Sequence, residues 1–589
     1  MAPLRILVVL ILLTITGARA QQEWATTYDR SGGTRTPRYD ETVAFCERLA
    51  AHSPWVRSTS FGVSPQGRAL PLLIVSKAKA FTPDAAARTH QAVILIQAGI
   101  HSGEIDGKDA MFTILREMLV QHRDTEVLDS VIILFVPIFS VDGHERFSAF
   151  NRINQNGPAE MGWRTTARNL NLNRDYMKAD TPEMRAMLTL FQRWLPDLYV
   201  DCHVTDGIDM QYDITYATEL GPNIDRGIVD YLKTTLMPRV LDRVERDGHP
   251  IFWYVFPREE TDLSKGMGSG ASTPRFSTGY AALQNRPSIL IETHMLKPYR
   301  TRVEATASFL RGTLATVARN ASALRRTVRD ADARRAAAAD RSVPLKFALG
   351  KDSTMMPFKG IRLRTEQSPI SGGRKLVYTG EPYDVMVPFY DHILTVDSVT
   401  LPAAYIIPPE WGFVPELFAL HGVRYRTTAV PETVTVTTNR FMNVRFAARP
   451  YEGRQTATYA AEPVTMRRAY PAGSLVVPSA QRASHVAAHL LEPKSGDSFV
   501  AWGFFNAIFE QKEYAEDYVM EKEGKAMLDA DPALRAAYLA TIAADSVFAR
   551  DPNARLNWLY NRSRWADERL NMYPVGRIDA AVLQGLHLK

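Results

Sequence analysis

Cysteine is nearly missing. Cys46 and Cys202 are the two in 589 residues, so no disulfide framework holds the fold. One Cys46–Cys202 bridge is the single internal pairing open to the chain. Two separate buried thiols are the plainer expectation, because Cys202 sits in a short apolar run beside a histidine. Long apolar runs are missing too. The longest, Ile6–Ile15, is about half of the roughly 20 residues a spanning helix needs, which argues against membrane insertion. Charge of one sign is also scarce. The net charge is +6, from 70 basic and 64 acidic side chains, too mild and too mixed for a nucleic-acid-binding surface. There is no internal repeat and no low-complexity tract. The small-residue stretch Gly266–Ser272 has no GK[ST] after it, which removes a phosphate cradle and leaves a mobile surface loop as the expectation.

What is present begins with an address. Arg5, the apolar run and Ala18-Arg19-Ala20 form a signal peptide pattern over 1–20, with cleavage after Ala20. No Cys follows that site, which argues against a lipid anchor. The mature chain is expected to be exported, to the periplasm or beyond. From 21 to 340, strand-like apolar runs alternate with helical patterns, which predicts an α/β domain with a mixed sheet and helices on both faces. A helix is expected over Arg38–His52, then a hairpin turning at Ser64–Gly67. Strands are expected at Val93–Gln97, Val131–Phe135, Asp197–Cys202 and Ser288–Ile291. A turn is expected at Asp142-Gly143. Thr181-Pro182-Glu183 opens a helix to Trp194, and further helices are read over Arg226–Asp247 and Arg302–Asp340. Residues 343–475 read as a β-rich accessory region and 476–589 as a mixed, α-containing one.

The chemistry-bearing stretch is ILIQAGIHSGEIDGK, Ile94–Lys108. It places His101 and Glu104, spaced His-x-x-Glu, on the turn from a strand into a helix. His203 ends a second strand and Glu292 a third. In α/β sheets, ligand sites form outside the carboxyl ends of strands, so these residues can converge. Two histidines and a glutamate suit Zn2+, with a fourth position left for water. Zinc acidifies that water and polarises a carbonyl. Glu292 is then the natural general base, and an arginine would steady charge growing on the carbonyl oxygen. His294, two residues beyond Glu292, competes as a ligand and ranks below His203.

An ordered set of segments resembles the zinc carboxypeptidase family. SFGVSPQGRALPLLIVS resembles its Ser-x-Glu-Gly-Arg hairpin, with Gln66 for Glu, and HSGE its zinc motif. FVPIFSVDGHERF resembles its Asn-Pro-Asp-Gly segment, GWRTTARNLNLNRDY its Trp-Arg then Asn-Arg segment, DCH its second zinc histidine and SILIETH its catalytic strand. The resemblance covers roughly Tyr39 to Leu310. It implies zinc on His101, Glu104 and His203, with Glu292 activating the water and passing its proton to the leaving amine. It implies oxyanion stabilisation by Arg164, and capture of a peptide's C-terminal carboxylate by Asn173 and Arg174. Asn171 stands where the family often has an Asp that orients the first histidine, and Gly103 where an Arg is frequent. The family's mobile tyrosine has no clear counterpart; Tyr280 is the nearest candidate.

The reading is thus an exported zinc metallocarboxypeptidase acting on peptide or protein C-termini, with no nucleic-acid partner. An amidase or deacylase of the same fold, acting on murein peptides or acyl-amino acids, stays open. So does a metal-bearing binding module without catalysis. The side-chain pocket is expected from the region between Thr205 and Tyr280, where Arg258 and Arg275 would suit acidic substrates.

Overall fold

The computed structural model describes residues 24–337 and 341–589. The expected signal peptide, and the last three residues of the helix read over Arg302–Asp340, lie outside them. The chain divides into two units, one made of residues up to Leu401 with Trp411–Tyr425 and Val477–Ser498, the other of the remainder.

The first unit is built on a mixed sheet. β1 (Val56–Val63) and β2 (Ala69–Val75) form the expected hairpin. Then come β3 (Ala92–Ala98), β4 (Val131–Val136), β5 (Leu198–Thr205), β6 (Ile214–Thr218) and β7 (Ile251–Trp253). The short β8 (Phe256–Pro257) and β9 (Met267–Gly268) precede β10 (Ser288–His294). The eight-stranded order is β1-β2-β4-β3-β5-β10-β6-β7. β3 is parallel to β4 and β5, and β5 to β10, so the carboxyl ends of β3, β5 and β10 open on one edge.

Every residue of β3, β4 and β5 is buried. That is why Val131–Val136 is an unbroken apolar run and β3 and β5 are apolar over most of their length, since parallel strands are covered on both faces. Ile94 and Ile96 join the large core, and Tyr199 meets Phe191 from the other layer. The helices that cover the sheet are α1 (Tyr39–His52), α2 (Asp106–Leu119), α3 (Val141–Glu145), α4 (Pro182–Trp194), α5 (Arg226–Tyr231), α6 (Met237–Arg246), α7 (Ser277–Leu283) and α8 (Tyr299–Ala336). Thr181 Oγ1 caps α4 by accepting from the Met184 N–H at 3.2 Å, with Pro182 in the first turn.

Two expectations change. The helix read over Arg226–Asp247 is divided by a π-helical turn, Leu232–Leu236. Pro238 explains it: proline lacks an N–H and its ring crowds the carbonyl four residues back. Asp142-Gly143 is not a turn but part of the buried α3. There Asp142 accepts hydrogen bonds from Ser64 Oγ (2.8 Å), the Gln66 N–H (3.1 Å) and Arg68 (2.7 Å), which ties the β1–β2 turn to it.

Cys46 and Cys202 are free and buried. A Cβ on Gly107 would stand 2.5 Å from Cys202 Cβ, so α2 closes directly on β5. Arg302, fully buried, donates to the Asp106 carboxylate and to the carbonyls of Asn156, Gly157, Met295 and Lys297. One guanidinium thereby joins the start of α2, the loop at 156–157 and the exit of β10.

Beyond α8, β11 (Ser342–Leu349) pairs antiparallel with a later strand, β14 (Ile393–Thr400). Between them β12 (Thr354–Gln367) and β13 (Arg374–Tyr390) make a hairpin that extends to β9 and β8. α9 (Phe413–His421) and α10 (Ser484–Leu491) complete the unit. The second unit holds most of a six-stranded sheet dominated by a long hairpin, β17 (Glu432–Phe446) with β18 (Ala457–Tyr470), where β15 is Ala404–Ile407 and β16 is Arg426–Thr427. It also holds helices over Asp517–Ala530, Pro532–Ala544 and Pro552–Tyr560 packed around Met520, Tyr538 and Leu559. Among the described residues no helix is long and apolar enough to cross a membrane.

Burial lowers the pKa of His144, His421 and His489 to about 4 each, from 6.5. The unfolded chain then takes up protons that the folded one refuses. Stability is whole above pH 6.5 and drains as pH falls towards 4. Each such histidine is worth about 3 kcal/mol across that window. His421 packs between Tyr280 and the Met177 carbonyl with no carboxylate contact among the described residues. His421→Gln is expected to flatten the fall in melting temperature between pH 6.5 and 4, while lowering it at pH 7. An unchanged slope in calorimetry would count against this account.

Candidate active site

The turn from β3 into α2 carries His101 and Glu104, β5 carries His203, and β10 carries Glu292 directly opposite His203. His203 lies inside β5, which runs on to Thr205, rather than at its end. Glu104 Oε2 sits 3.1 Å from His101 Nδ1 and 2.9 Å from His203 Nδ1, and accepts the Val204 N–H at 3.2 Å. The far nitrogens are held as well. His101 Nε2 faces Asn171 Oδ1 at 3.1 Å, and His203 Nε2 faces Asp201 Oδ2 at 2.9 Å. An amide oxygen therefore does serve at 171. The ligand atoms of His101, Glu104 and His203 all lie within 4.8 Å of one another, and all three residues are buried.

The electrostatics suit a cation. Burial alone would raise the Glu104 carboxyl, but His101, Arg152 and the imidazole hydrogen bonds hold it well below the usual range. Burial pulls His101 down to about 4, a neutral imidazole ready to act as a donor. Burial would lower His203 too, yet Asp201 and Glu104 raise it, so a metal ion arriving there displaces a proton. Burial pushes Glu292 up to about 8, with Glu104 and Asp201 adding and His203 opposing. Its Oε2 is buried without a hydrogen-bond partner. A divalent cation on the neighbouring ligands removes much of that repulsion. Two neutralisable imidazole nitrogens, one carboxylate and one idle carboxyl oxygen fit a divalent metal.

These residues line a cleft of about 540 Å³ together with Arg164, Asn173 and Arg174. Arg164 is 39% exposed and donates to Glu104 Oε1 at 3.2 Å. Asn173 is held by the Ser277 N–H on its Oδ1. Arg174 lies over the Phe276 ring at 4.2 Å and donates to the Asn173 carbonyl. Asp175 is occupied by Lys178 and Thr181, and Arg174 makes no ion pair with a carboxylate among the described residues.

Tyr280 is not brought there, and the substrate contact read for it is corrected. α7 turns it inward, fully buried, with its hydroxyl accepting from Gln284 at 2.8 Å and facing His421 Nδ1 at 3.1 Å. Tyr254 lines the cleft instead, and the Glu292 charge raises its pKa. His294 is also elsewhere, between the Met210 N–H and Asp209. The sequence reading missed Arg152, whose guanidinium reaches Glu104 Oε1 at 2.7 Å. A Cβ on Gly103 would stand 2.7 Å from Arg152 Cγ, so the glycine between the ligands makes room for an arginine from another loop. No periodicity marks Arg152. Asp201 did leave a signal: it is two residues from His203 and so on the same face of the strand.

Residues 42–237 match the family model of the zinc carboxypeptidases. Over this third of the chain the sequence matches a zinc carboxypeptidase domain. Carboxypeptidase 2 of Trichophyton equinum is 25% identical over 500 residues, 80% of this chain and 85% of that protein. Carboxypeptidase 2 of Trichophyton rubrum is 24% identical over 499 residues, with 80% and 85% covered. The solved carboxypeptidase A of Helicoverpa armigera shares 16% identity over 49% of this chain and 74% of that one, with a TM-score of 0.36. The zinc carboxypeptidase domain is that of a metallopeptidase, a hydrolase. The family match takes in His101, Glu104 and His203 and stops before Glu292, whose position follows from the register of β10 on β5.

The Asp201 carboxylate fixes the His203 ring and strengthens Nδ1 as a donor. Asp201→Asn is expected to weaken zinc binding about 10–100-fold, read by competition with a chromophoric chelator. Equal affinity in the variant would show that the partner is idle.

Proposed function

We propose that this protein is an exported zinc metallocarboxypeptidase that removes the C-terminal residue from peptides. The observation that carries this reading is one cleft holding the His101–Glu104–His203 donor set, the unpartnered Glu292 Oε2 and the guanidinium of Arg174. His101, Glu104 and His203 would hold the zinc. When bound, zinc supplies Lewis acidity, acting on water and on a scissile carbonyl.

The chain's own groups do the rest. Arg174 and Asn173 bind the terminal carboxylate and so register the last peptide bond. Glu292 takes a proton from water as the water oxygen bonds to the carbonyl carbon, then returns it to the nitrogen as the C–N bond breaks. Arg164 donates to the carbonyl oxygen as negative charge grows there. The products are a shortened peptide and a free amino acid, which accounts for every atom of the water.

C-terminal release from a mixed peptide pool, followed by mass spectrometry, tests this. Single-residue trimming is expected, lost on metal removal and reduced about 10²–10⁴-fold by Glu292→Gln with zinc retained. Arg174→Ala is expected to raise KM for peptides with a free terminus. Trimming that ignores terminal amidation would turn the reading towards amide or acyl substrates. Export rests on Arg5, Ile6–Ile15 and Ala18-Arg19-Ala20. N-terminal sequencing of the exported protein should begin at Gln21, and retention of Met1 would refute cleavage.

A further inference from the structure

The cleft is walled in part by residues that follow the catalytic strands. Phe347, Ala348 and Leu349 of β11 and Ile393 of β14 line it. Leu349 pairs directly with Ile393 across the two strands. Phe347, two residues earlier, shares their face, while Lys346 on the opposite face is exposed. This face packs on the small-residue loop that follows β9. A Cβ on Gly270 would stand 3.8 Å from Leu349 Cδ2 and one on Gly268, at the end of β9, 2.7 Å from Leu349 Cδ1, while Gly221, in the loop after β6, would bring a Cβ 3.8 Å from Ile393 Cδ1.

That loop is not the mobile surface segment its composition suggests. The Ser269 N–H donates to the Tyr390 carbonyl at 2.9 Å. The Ser272 N–H and Thr278 Oγ1 donate to the buried Glu219 carboxylate at 3.1 and 3.0 Å. The β11–β14 pair is anchored at its other end. Val343 and Leu345 cluster with Leu401 and Ala488, and His489 Nε2 faces the Pro344 carbonyl at 3.0 Å. The wall is therefore pre-formed.

Its chemistry is neutral. The charged residues lining the cleft are Glu104, Arg164, Arg174, Asp206 and Glu292, all from the segments that carry the catalytic and carboxylate-binding groups. The rest of the lining includes Leu290, on the Glu292 face of β10, its cross-strand partner Ala217, Phe276 beneath Arg174, and the paired strands β11 and β14. Arg258 and Arg275 do not line it. Arg275 is bound to Asp497 at 2.8 Å, and Arg258 lies over the Tyr390 ring.

Resting on the carboxypeptidase reading above, we infer that the β11–β14 strand pair is a specificity wall and that the enzyme takes peptides ending in an apolar aliphatic or aromatic residue. With the terminal carboxylate on Arg174 and the scissile carbonyl beside Glu292, the last side chain points at this neutral wall. A lysine or glutamate side chain there is stripped of water and meets no counter-charge. An apolar one gains contact with Phe347, Leu349 and Ile393.

The test uses the full-length, zinc-loaded enzyme and a set of N-acyl peptides identical but for a final Phe, Leu, Ala, Lys or Glu. The expected kcat/KM for Phe or Leu exceeds that for Lys or Glu by about 100-fold. Ile393→Asp is expected to raise Lys relative to Phe about 10-fold or more. Ile393→Ala, which enlarges the pocket, is expected to shift the Phe to Leu ratio. Circular dichroism and melting curves identify any variant that fails to fold. A wild-type preference for Lys or Glu, or a ranking unmoved by both Ile393 variants, overturns the inference while trimming itself persists. Absence of release from every peptide overturns the carboxypeptidase reading and this inference with it.

Discussion

One buried carboxylate, Glu104, is the contact on which the site depends. Its Oε2 faces both imidazole Nδ1 atoms and the Val204 N–H, and its Oε1 takes Arg152 and Arg164. A carboxylate so deeply buried is costly unless paired and hydrogen-bonded. Here both oxygens are satisfied, and the partners come from the turn after β3, from β5 and from the segment that carries Arg152 and Arg164. The charge of Glu104 thus organises β3, β5 and two loops at once. Gly103 belongs to the same arrangement, since any side chain there would push Arg152 away.

That carboxylate stays in place because of the sheet beneath it. Parallel pairing brings the ends of β3, β5 and β10 to one edge, and the register sets Glu292 against His203. The direct closure of α2 on β5 at Gly107 and Cys202 holds the turn that carries His101 and Glu104. Arg302 ties that helix start to the exit of β10 through five acceptor groups. Glu292 Oε2 is among the buried polar atoms left without a hydrogen-bond partner. In a functional cleft, such an atom is a place where a fold gives up stability for chemistry.

Much of this was legible in the residues. Fully buried strands announce themselves as apolar runs, and Thr181-Pro182 marks a helix start by capping chemistry that needs no tertiary partner. The His-x-x-Glu spacing and the histidine after Asp201-Cys202 were readable because neighbours in sequence are neighbours on a turn or strand. Arg152 and Tyr254 were not readable, because nothing local distinguishes an arginine or tyrosine that will swing into a cleft. Tyr280 misled for the same reason: distance along the chain from Glu292 says nothing about which way α7 faces. The loop Gly266–Ser272 looked mobile by composition, yet its small residues are what let Leu349 and Phe256 approach.

By itself, then, the sequence determined the α/β class and the strand and helix succession, since each depends on periodicity, and it offered His101 and Glu104 by their His-x-x-Glu spacing, with His203 added by the family resemblance. Only the tertiary structure decided which arginines touch Glu104, which tyrosine meets the cleft, and that β11 and β14 wall it. Those are contacts between residues tens to hundreds of positions apart. They are set by packing and by burial of charge, which no local pattern records.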